Sequence, residues 1–327
     1  MYSRKILFGL AAAYPAERFD FCYRPHRYLR SWSETLPSNA TRRLLGERPP
    51  RADVFHALNQ RVDGRGKRTV ATFHDLFMIT NEYSSAEFRE RFAVQAREAA
   101  ERSDLVIAVS RFTAQQVEAL LGVERSRIRV VPHGVDQVGA KVGTGSREKI
   151  VLSVGAIQKR KNTARLVKAF ERMPAGWTLV LAGAADGFGA EQELAAVDAS
   201  HRREDIQIRG YVPADELESL YGRASLFAFP SLDEGFGMPV LDAMARGVPV
   251  LTSNRSAMPE VAGDAALLVD PENVDEISDG LKRLAADDAL RAQLAMLGLA
   301  RVREFSWDAA VRRTWSVYAE LRGDVLG

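Results

Sequence analysis

The chain of 327 residues contains a single cysteine, Cys22. One thiol forms no disulfide within the chain and no cysteine-based zinc site, which fits a reducing compartment and a cytoplasmic protein. Long apolar runs are missing as well: no stretch reaches the roughly 18 uninterrupted apolar residues of a membrane span. The opening run, KILFGLAAA, is too short and too soon polar to span. Because it follows Arg4 and ends in small residues it shares features with a signal peptide, but we read it as a first β-strand. No short-period repeat or low-complexity segment appears. No G-x-G-x-x-G follows a strand with an acidic residue about 20 positions on, which argues against a nicotinamide oxidoreductase.

What is present suits a globular enzyme. With 46% hydrophobic and 27% charged residues, the chain can bury a core in each of two domains. The net charge is only +2, but residues 1–136 hold 22 Lys or Arg against 16 Asp or Glu. The excess lies before Lys67, in arginines such as Arg24, Arg27, Arg30, Arg42 and Arg43. It favours an anionic partner: nucleic acid, a phosphorylated substrate or an anionic membrane surface. A solvated arginine-rich surface accounts for it equally well.

Strand and helix signals alternate. Apolar runs at KILFGL, ADVFHAL, TVATFHDL, DLVIAVS and IRVVPHG are interleaved with the helical SSAEFRERFAVQAREAAERS and RFTAQQVEALLG. Ser110 is placed to cap the second of these helices. A glycine-rich polar stretch, DQVGAKVGTGSREK, reads as a linker, after which the alternation restarts. Two α/β blocks in succession imply two doubly wound parallel sheets.

In such sheets ligands bind beyond the carboxyl ends of the strands, where a helix N-terminus offers backbone N–H groups to an anion. The stretch DEGFGMPVLDAMARG, residues 233–247, follows the strand SLFAFPS and fits that geometry. Gly235 and Gly237 let backbone approach a ligand; the helix starts at Met238 or Pro239 and stops at Gly247. Glu234 and Asp242, eight residues apart, suit hydroxyls, because an ionised carboxylate only accepts hydrogen bonds. Taken as solvated helix-end charges they would carry no function. A second turn, QKRKN, puts Lys159, Arg160 and Lys161 after a strand and before a helix that Asn162 would cap. Cations there suit a diphosphate, with arginine as a two-pronged clamp. Diphosphate flanked by polyols describes a nucleotide sugar.

SVGAIQKRKN, the string from Gly210 to Pro271 and the final FSWDAAVRRTWSVY resemble the retaining glycosyltransferases of family four, a GT-B group that includes bacterial mannosyltransferases, sucrose synthases and glycogen synthases. The resemblance runs from about Asp104 to Tyr318. It implies an α/β GT-B fold: two Rossmann-like doubly wound domains facing an interdomain cleft. The expected divisions are an acceptor-side domain over 1–137, a linker over 138–148, a nucleotide-sugar domain over 149–305, and a helix over 306–327 crossing back to the first domain.

By position the resemblance assigns Glu234 to the donor sugar, Asp242 to the ribose and Arg160 with Lys161 to the leaving diphosphate. Gly235, Phe236, Gly237, Met238 and Pro239 line the donor, and backbone at Tyr211 and Val212 contacts the base. His74, in TVATFHDL, is implied near the donor sugar, whereas His133 reads as structural. Asp242 is one methylene shorter than the family's Glu, and Ala156 stands where many members carry arginine. The front domain offers no glycine-rich loop after its first strand.

The implied activity is metal-independent hexosyl transfer with retention, usually attributed to front-face attack assisted by the leaving phosphate. No cofactor is implied beyond the donor, GDP-mannose in preference to a UDP sugar. The acceptor is a glycan or polyprenyl-diphosphate-linked sugar in polysaccharide synthesis, met at the inner face of the plasma membrane by a peripheral protein; nucleic acid drops out as a partner. A UDP-sugar transferase, a nucleotide-sugar epimerase of the same fold and a non-catalytic binding protein are the alternatives.

Overall fold

The structure is a computed structural model describing residues 2–45, 52–64, 66–137 and 147–324; most of the expected linker, 138–146, lies outside the described residues. The chain divides into two compact units. One comprises Met1–Thr80, Ala86–Gly134 and Phe305–Gly327, the other Asn81–Ser85 and Val135–Glu304.

The first unit contains α1 (Tyr2–Ala13), β1 (Phe19–Tyr23), α2 (Pro25–Tyr28), β2 (Ala40–Leu44), β3 (Val54–Ala57), β4 (Arg68–Phe73), α3 (Phe77–Thr80), α4 (Ala86–Arg102), β5 (Leu105–Ala108), α5 (Arg111–Leu121) and β6 (Ile128–Val130). The second contains β7 (Glu148–Val154), α6 (Thr163–Phe170), β8 (Thr178–Ala182), α7 (Ala190–Asp198), β9 (Ile206–Gly210), α8 (Ala214–Arg223), β10 (Ala224–Phe229), α9 (Met238–Ala245), β11 (Val250–Ser253), α10 (Met258–Ala262), β12 (Ala266–Val269), α11 (Val274–Ala286) and α12 (Asp288–Arg301). The last helix, α13 (Trp307–Arg322), belongs to the first unit.

The opening run is a helix, not a strand. A short apolar run satisfies either period, and packing arbitrates. Ile6 and Leu10, four residues apart, are fully buried in a cluster with Val311 and Val317 of α13. A Cβ on Gly9 would lie 2.5 Å from Val311 Cγ2, so α1 and α13 meet over a glycine. The alanines ending the run are the strongest helix formers.

In the first unit β3, β4, β5 and β6 form a parallel sheet in that order, and β1 pairs with β2 as a separate parallel ribbon. Parallel strands need both faces covered; β5, LVIA, is apolar throughout, and β4, RTVATF, is buried from Thr69 on. Ala71, Phe73, Val106 and Ala108 pack with α4 and α5. Val70, Leu105 and Ile107 pack with α1 and α13. Ser110 caps α5 by accepting from the Thr113 amide, and Gly122 closes it in the left-handed region.

In the second unit six parallel strands run in the order β12-β11-β10-β7-β8-β9. The first strand is central, so the winding reverses between β7 and β10, the switch point beside which doubly wound sheets bind ligands.

Candidate functional site

Both turns singled out in the sequence leave the sheet at this switch point. After β7 the chain makes a 3-10 turn at Lys159–Lys161; after β10 it runs through Pro230–Gly237 into α9. The two turns are bonded together. The Leu232 amide donates to the Arg160 carbonyl at 2.8 Å, and Arg160 Nη1 donates to the Asp233 carbonyl at 2.5 Å. Asn162 sits at φ 62° and does not cap α6. Its amide donates instead to the carbonyls of Pro230 (2.9 Å) and Pro271 (2.6 Å). Its short polar side chain makes the left-handed conformation tolerable. Asn162 therefore fastens the site's loops together, a long-range role that local sequence does not signal.

At the centre is Glu234. Its Oε1 lies 2.6 Å from Arg160 Nη1 and 2.6 Å from Lys161 Nζ, and Ser231 Oγ donates to it at 2.7 Å. Arg160 and Glu234 are buried, and the Lys161 side chain is 15% exposed. Burial raises the Glu234 pKa, but Lys161 and Arg160 outweigh it and hold the carboxyl below its ordinary value. Sequence placed these groups at different parts of a donor; the structure brings them into one cluster with an excess of one positive charge. Lys161 Nζ also stands 4.4 Å from the Phe229 ring centroid, a cation–π contact.

Two groups beside this cluster were not anticipated. Asp233 is buried, with its pKa pushed up to about 6 by desolvation, against the pull of Arg160 and with the push of Glu234; Asn81 Nδ2 donates to it at 3.3 Å. Ser256, at φ 53°, accepts from the Glu234 amide at 3.0 Å. Backbone strain of this kind concentrates at functional sites.

Gly237 opens α9 at φ 97°, and a Cβ there would fall 2.2 Å from Met258 Cε. Gly235 and Phe236 are buried in the same turn, while Met238 and Pro239 are half-buried. Asp242, one turn into α9, is partly exposed. Burial pushes its pKa up to about 6 against Arg246, whose Nη1 is 3.6 Å away. Tyr211, 83% exposed, and Val212 follow Gly210, at φ 63°, at the end of β9.

His74 belongs to the first unit, at the carboxyl end of β4. Its Nε2 donates to the Leu58 carbonyl at 2.9 Å and its Nδ1 lies 3.2 Å from His133 Nε2. With Nε2 protonated, Nδ1 accepts from His133. A sugar hydroxyl would have to displace one of these bonds. His133 is buried beside it, as a structural histidine would be. Among the described residues no group of three or more His, Cys, Asp or Glu side chains could hold a metal ion. No helix among them is long and apolar enough to cross a membrane.

Two parallel α/β units, with a cationic turn and a buried glutamate at the switch point of the second, are the architecture of a GT-B glycosyltransferase. Residues 136–297 match the model of glycosyl transferases group 1 and residues 10–137 that of glycosyltransferase family 4. The chain is 30% identical to O-antigen chain mannosyltransferase B of Escherichia coli over 81% of its own length and 74% of that protein's. It is 29% identical to the serotype-specific mannosyltransferase WbdA of the same species, of which it spans about a third, 32%. A sucrose-phosphate synthase from Thermosynechococcus elongatus superimposes with a TM-score of 0.78 over 98% of this chain and 93% of its own, at 22% identity. HepE of Anabaena, solved with UDP and glucose, superimposes at 0.73 over 96% and 95%, at 16% identity. The chain belongs to glycosyltransferase family 4 and is a glycosyltransferase.

Proposed function

We propose that the protein transfers a hexosyl group, with retention, from a nucleotide-diphosphate sugar to a hydroxyl of a glycan acceptor in polysaccharide synthesis, with GDP-mannose as the donor. The observation that carries this is the Arg160–Glu234–Lys161 cluster at the switch point between β7 and β10. As the C1–O bond to the diphosphate breaks, negative charge develops on the leaving phosphate, and two preorganised cations stabilise it. The acceptor oxygen bonds to C1 on the same face and its proton passes to the departing phosphate oxygen. Glu234 holds both cations in place and accepts from the sugar's hydroxyls through its other oxygen. Asp242, ionised above about pH 6, accepts from the ribose hydroxyls. The turn from Gly235 to Pro239 follows the diphosphate, and the backbone at Tyr211 and Val212 takes the base.

The preference for mannose rests on the named activities of the E. coli relatives. We further infer a polyprenyl-diphosphate-linked acceptor at an anionic membrane face, to which the arginines of the first 67 residues would hold the protein reversibly. Thermal-shift measurements with GDP-mannose, UDP-glucose and UDP-N-acetylglucosamine test the donor; stabilisation by UDP sugars alone would overturn the choice. An acceptor-dependent release of GDP distinguishes transfer from epimerisation. Wild-type turnover by Lys161→Ala would overturn the site assignment. Failure to co-sediment with anionic vesicles at low salt would remove the membrane placement and leave the donor site standing.

A further inference from the structure

Five residues of the second unit come from the first half of the chain. Asn81–Ser85 lie between α3 and α4, two helices of the first unit, yet belong to the second with Val135–Glu304. The five, NEYSS, carry no apolar periodicity that would bury them by local pattern. Tyr83 is nevertheless buried, 8% exposed. The charges that act on its hydroxyl are those of Asp233, Arg160, Glu272 and Arg255. These four stand in the loops that follow β10, β7, β12 and β11, and the four strands are neighbours in the sheet. The segment therefore lies over the carboxyl edge of the sheet, where doubly wound sheets take their ligands.

Asn81 fixes one end of the segment. Its Nδ2 donates to Asp233 Oδ2 at 3.3 Å. Asp233 is tied to the cation cluster through its backbone: its carbonyl accepts from Arg160 Nη1 at 2.5 Å, and the same nitrogen stands 2.6 Å from Glu234 Oε1. Arg160 thus has one carboxylate on it already, and its charge also pulls on the carboxylate of Asp233. Two ionised carboxylates on one guanidinium would leave it no net positive charge to offer a phosphate. The Asn81 amide competes for the Asp233 carboxylate. As a neutral donor it satisfies a buried acceptor without adding charge to the cluster.

We propose that Asn81 is a positioning residue for diphosphate binding: by holding the Asp233 carboxylate it keeps a second acid from closing on Arg160, which stays available to the leaving phosphate. Tyr83, buried beside the same loops, anchors the segment that carries Asn81. The inference rests on the reading of the Arg160–Glu234–Lys161 cluster as the diphosphate site. It adds to that site a residue that neither of its two turns supplies.

Isothermal titration of the full chain with GDP and with UDP, following whichever the parent binds more tightly, tests this, with Tm measured alongside. Asn81→Ala releases the Asp233 carboxylate, and the isosteric Asn81→Asp repels it; each should weaken binding about tenfold. Adding Asp233→Asn should recover about fivefold of that loss in both, because the competing acid is gone. A purely structural bond would not behave so, since removing its second end cannot repair the loss of the first. Binding as tight as the parent's in both Asn81 variants would overturn the proposal, as would no recovery on adding Asp233→Asn to either. Lys161→Ala separates this inference from the reading beneath it. If Lys161→Ala loses nucleotide binding while both Asn81 variants keep it, only the role of Asn81 falls. If Lys161→Ala binds like the parent, or the parent binds neither nucleotide, the diphosphate site falls and this inference with it.

Discussion

Glu234→Gln separates a clamp for diphosphate from an ordinary buried ion pair. The substitution keeps the shape and the Ser231 bond, but it takes away the one carboxylate that faces both Arg160 Nη1 and Lys161 Nζ at 2.6 Å. None of the three side chains is more than 15% exposed, so solvent does little to screen the loss. Removing one partner of a buried pair costs about 3–5 kcal/mol, because the other charge is left uncompensated. For a unit of this size that lowers Tm by roughly 6–20 °C, at about 2–4 °C per kcal/mol. Asp233 beside it would relieve part of the cost by ionising more readily, since Glu234 helps keep its pKa high. A nucleoside diphosphate then brings back the missing negative charge. At 100 times Kd a ligand stabilises by about 2.7 kcal/mol, and the variant, with one negative charge fewer beside its cations, should bind the anion more tightly than the parent. Differential scanning fluorimetry with GDP should show a larger ligand-induced Tm shift in Glu234→Gln than in the parent, alongside lost turnover. An unchanged Tm without ligand would refute the buried-cluster energetics. A ligand shift no larger than the parent's would refute the clamp.

Three further outcomes are expected. Donor affinity should weaken as pH falls through about 6, where Asp242 takes up a proton and ceases to be a pure acceptor, and Asp242→Asn should bind weakly with no such dependence; a parent KM for the donor that is flat from pH 5 to 8 would contradict this. Gly237→Ala should cost about 2 kcal/mol or more, combining left-handed backbone strain with a Cβ driven into buried Met258, and urea titration reads it as a lower midpoint at unchanged slope. His56 and His133, whose pKa values burial and then the neighbouring His74 lower to about 3, are neutral when folded and titrate near 6.5 when unfolded. Each contributes stability that is present above pH 6.5 and lost as pH falls toward 3, so the first unit should unfold on acidification; His56→Gln combined with His133→Gln should flatten that limb of the Tm–pH curve.

The sequence by itself determined most of the second unit, because its signals are local. Short runs rich in apolar residues, punctuated by glycine or proline, fix β7 to β12, and Gly237 and Gly247 bracket α9 by conformations that glycine adopts cheaply; the serine that caps α5 in the first unit is local in the same way. The residue types at the turns after β7 and β10 were legible for the same reason. What tertiary structure alone decided depends on partners far along the chain. KILFGLAAA satisfies strand and helix periods alike, and α13, some 300 residues later, made it a helix by packing Val311 over Gly9. Asn162 looks like a cap, but Pro230 and Pro271 take its amide. His56 is bonded to Thr72 and to Tyr318, which lies 262 residues away in the chain. Arg160 and Lys161 read in the sequence as cations suited to a diphosphate; only the reversal of winding between β7 and β10 brought Glu234, 73 residues on, within 2.6 Å of Lys161. Hydrogen bonds and periodicity within a few residues are written in the chain, whereas which buried charge meets which is set by the order in which strands add to a sheet.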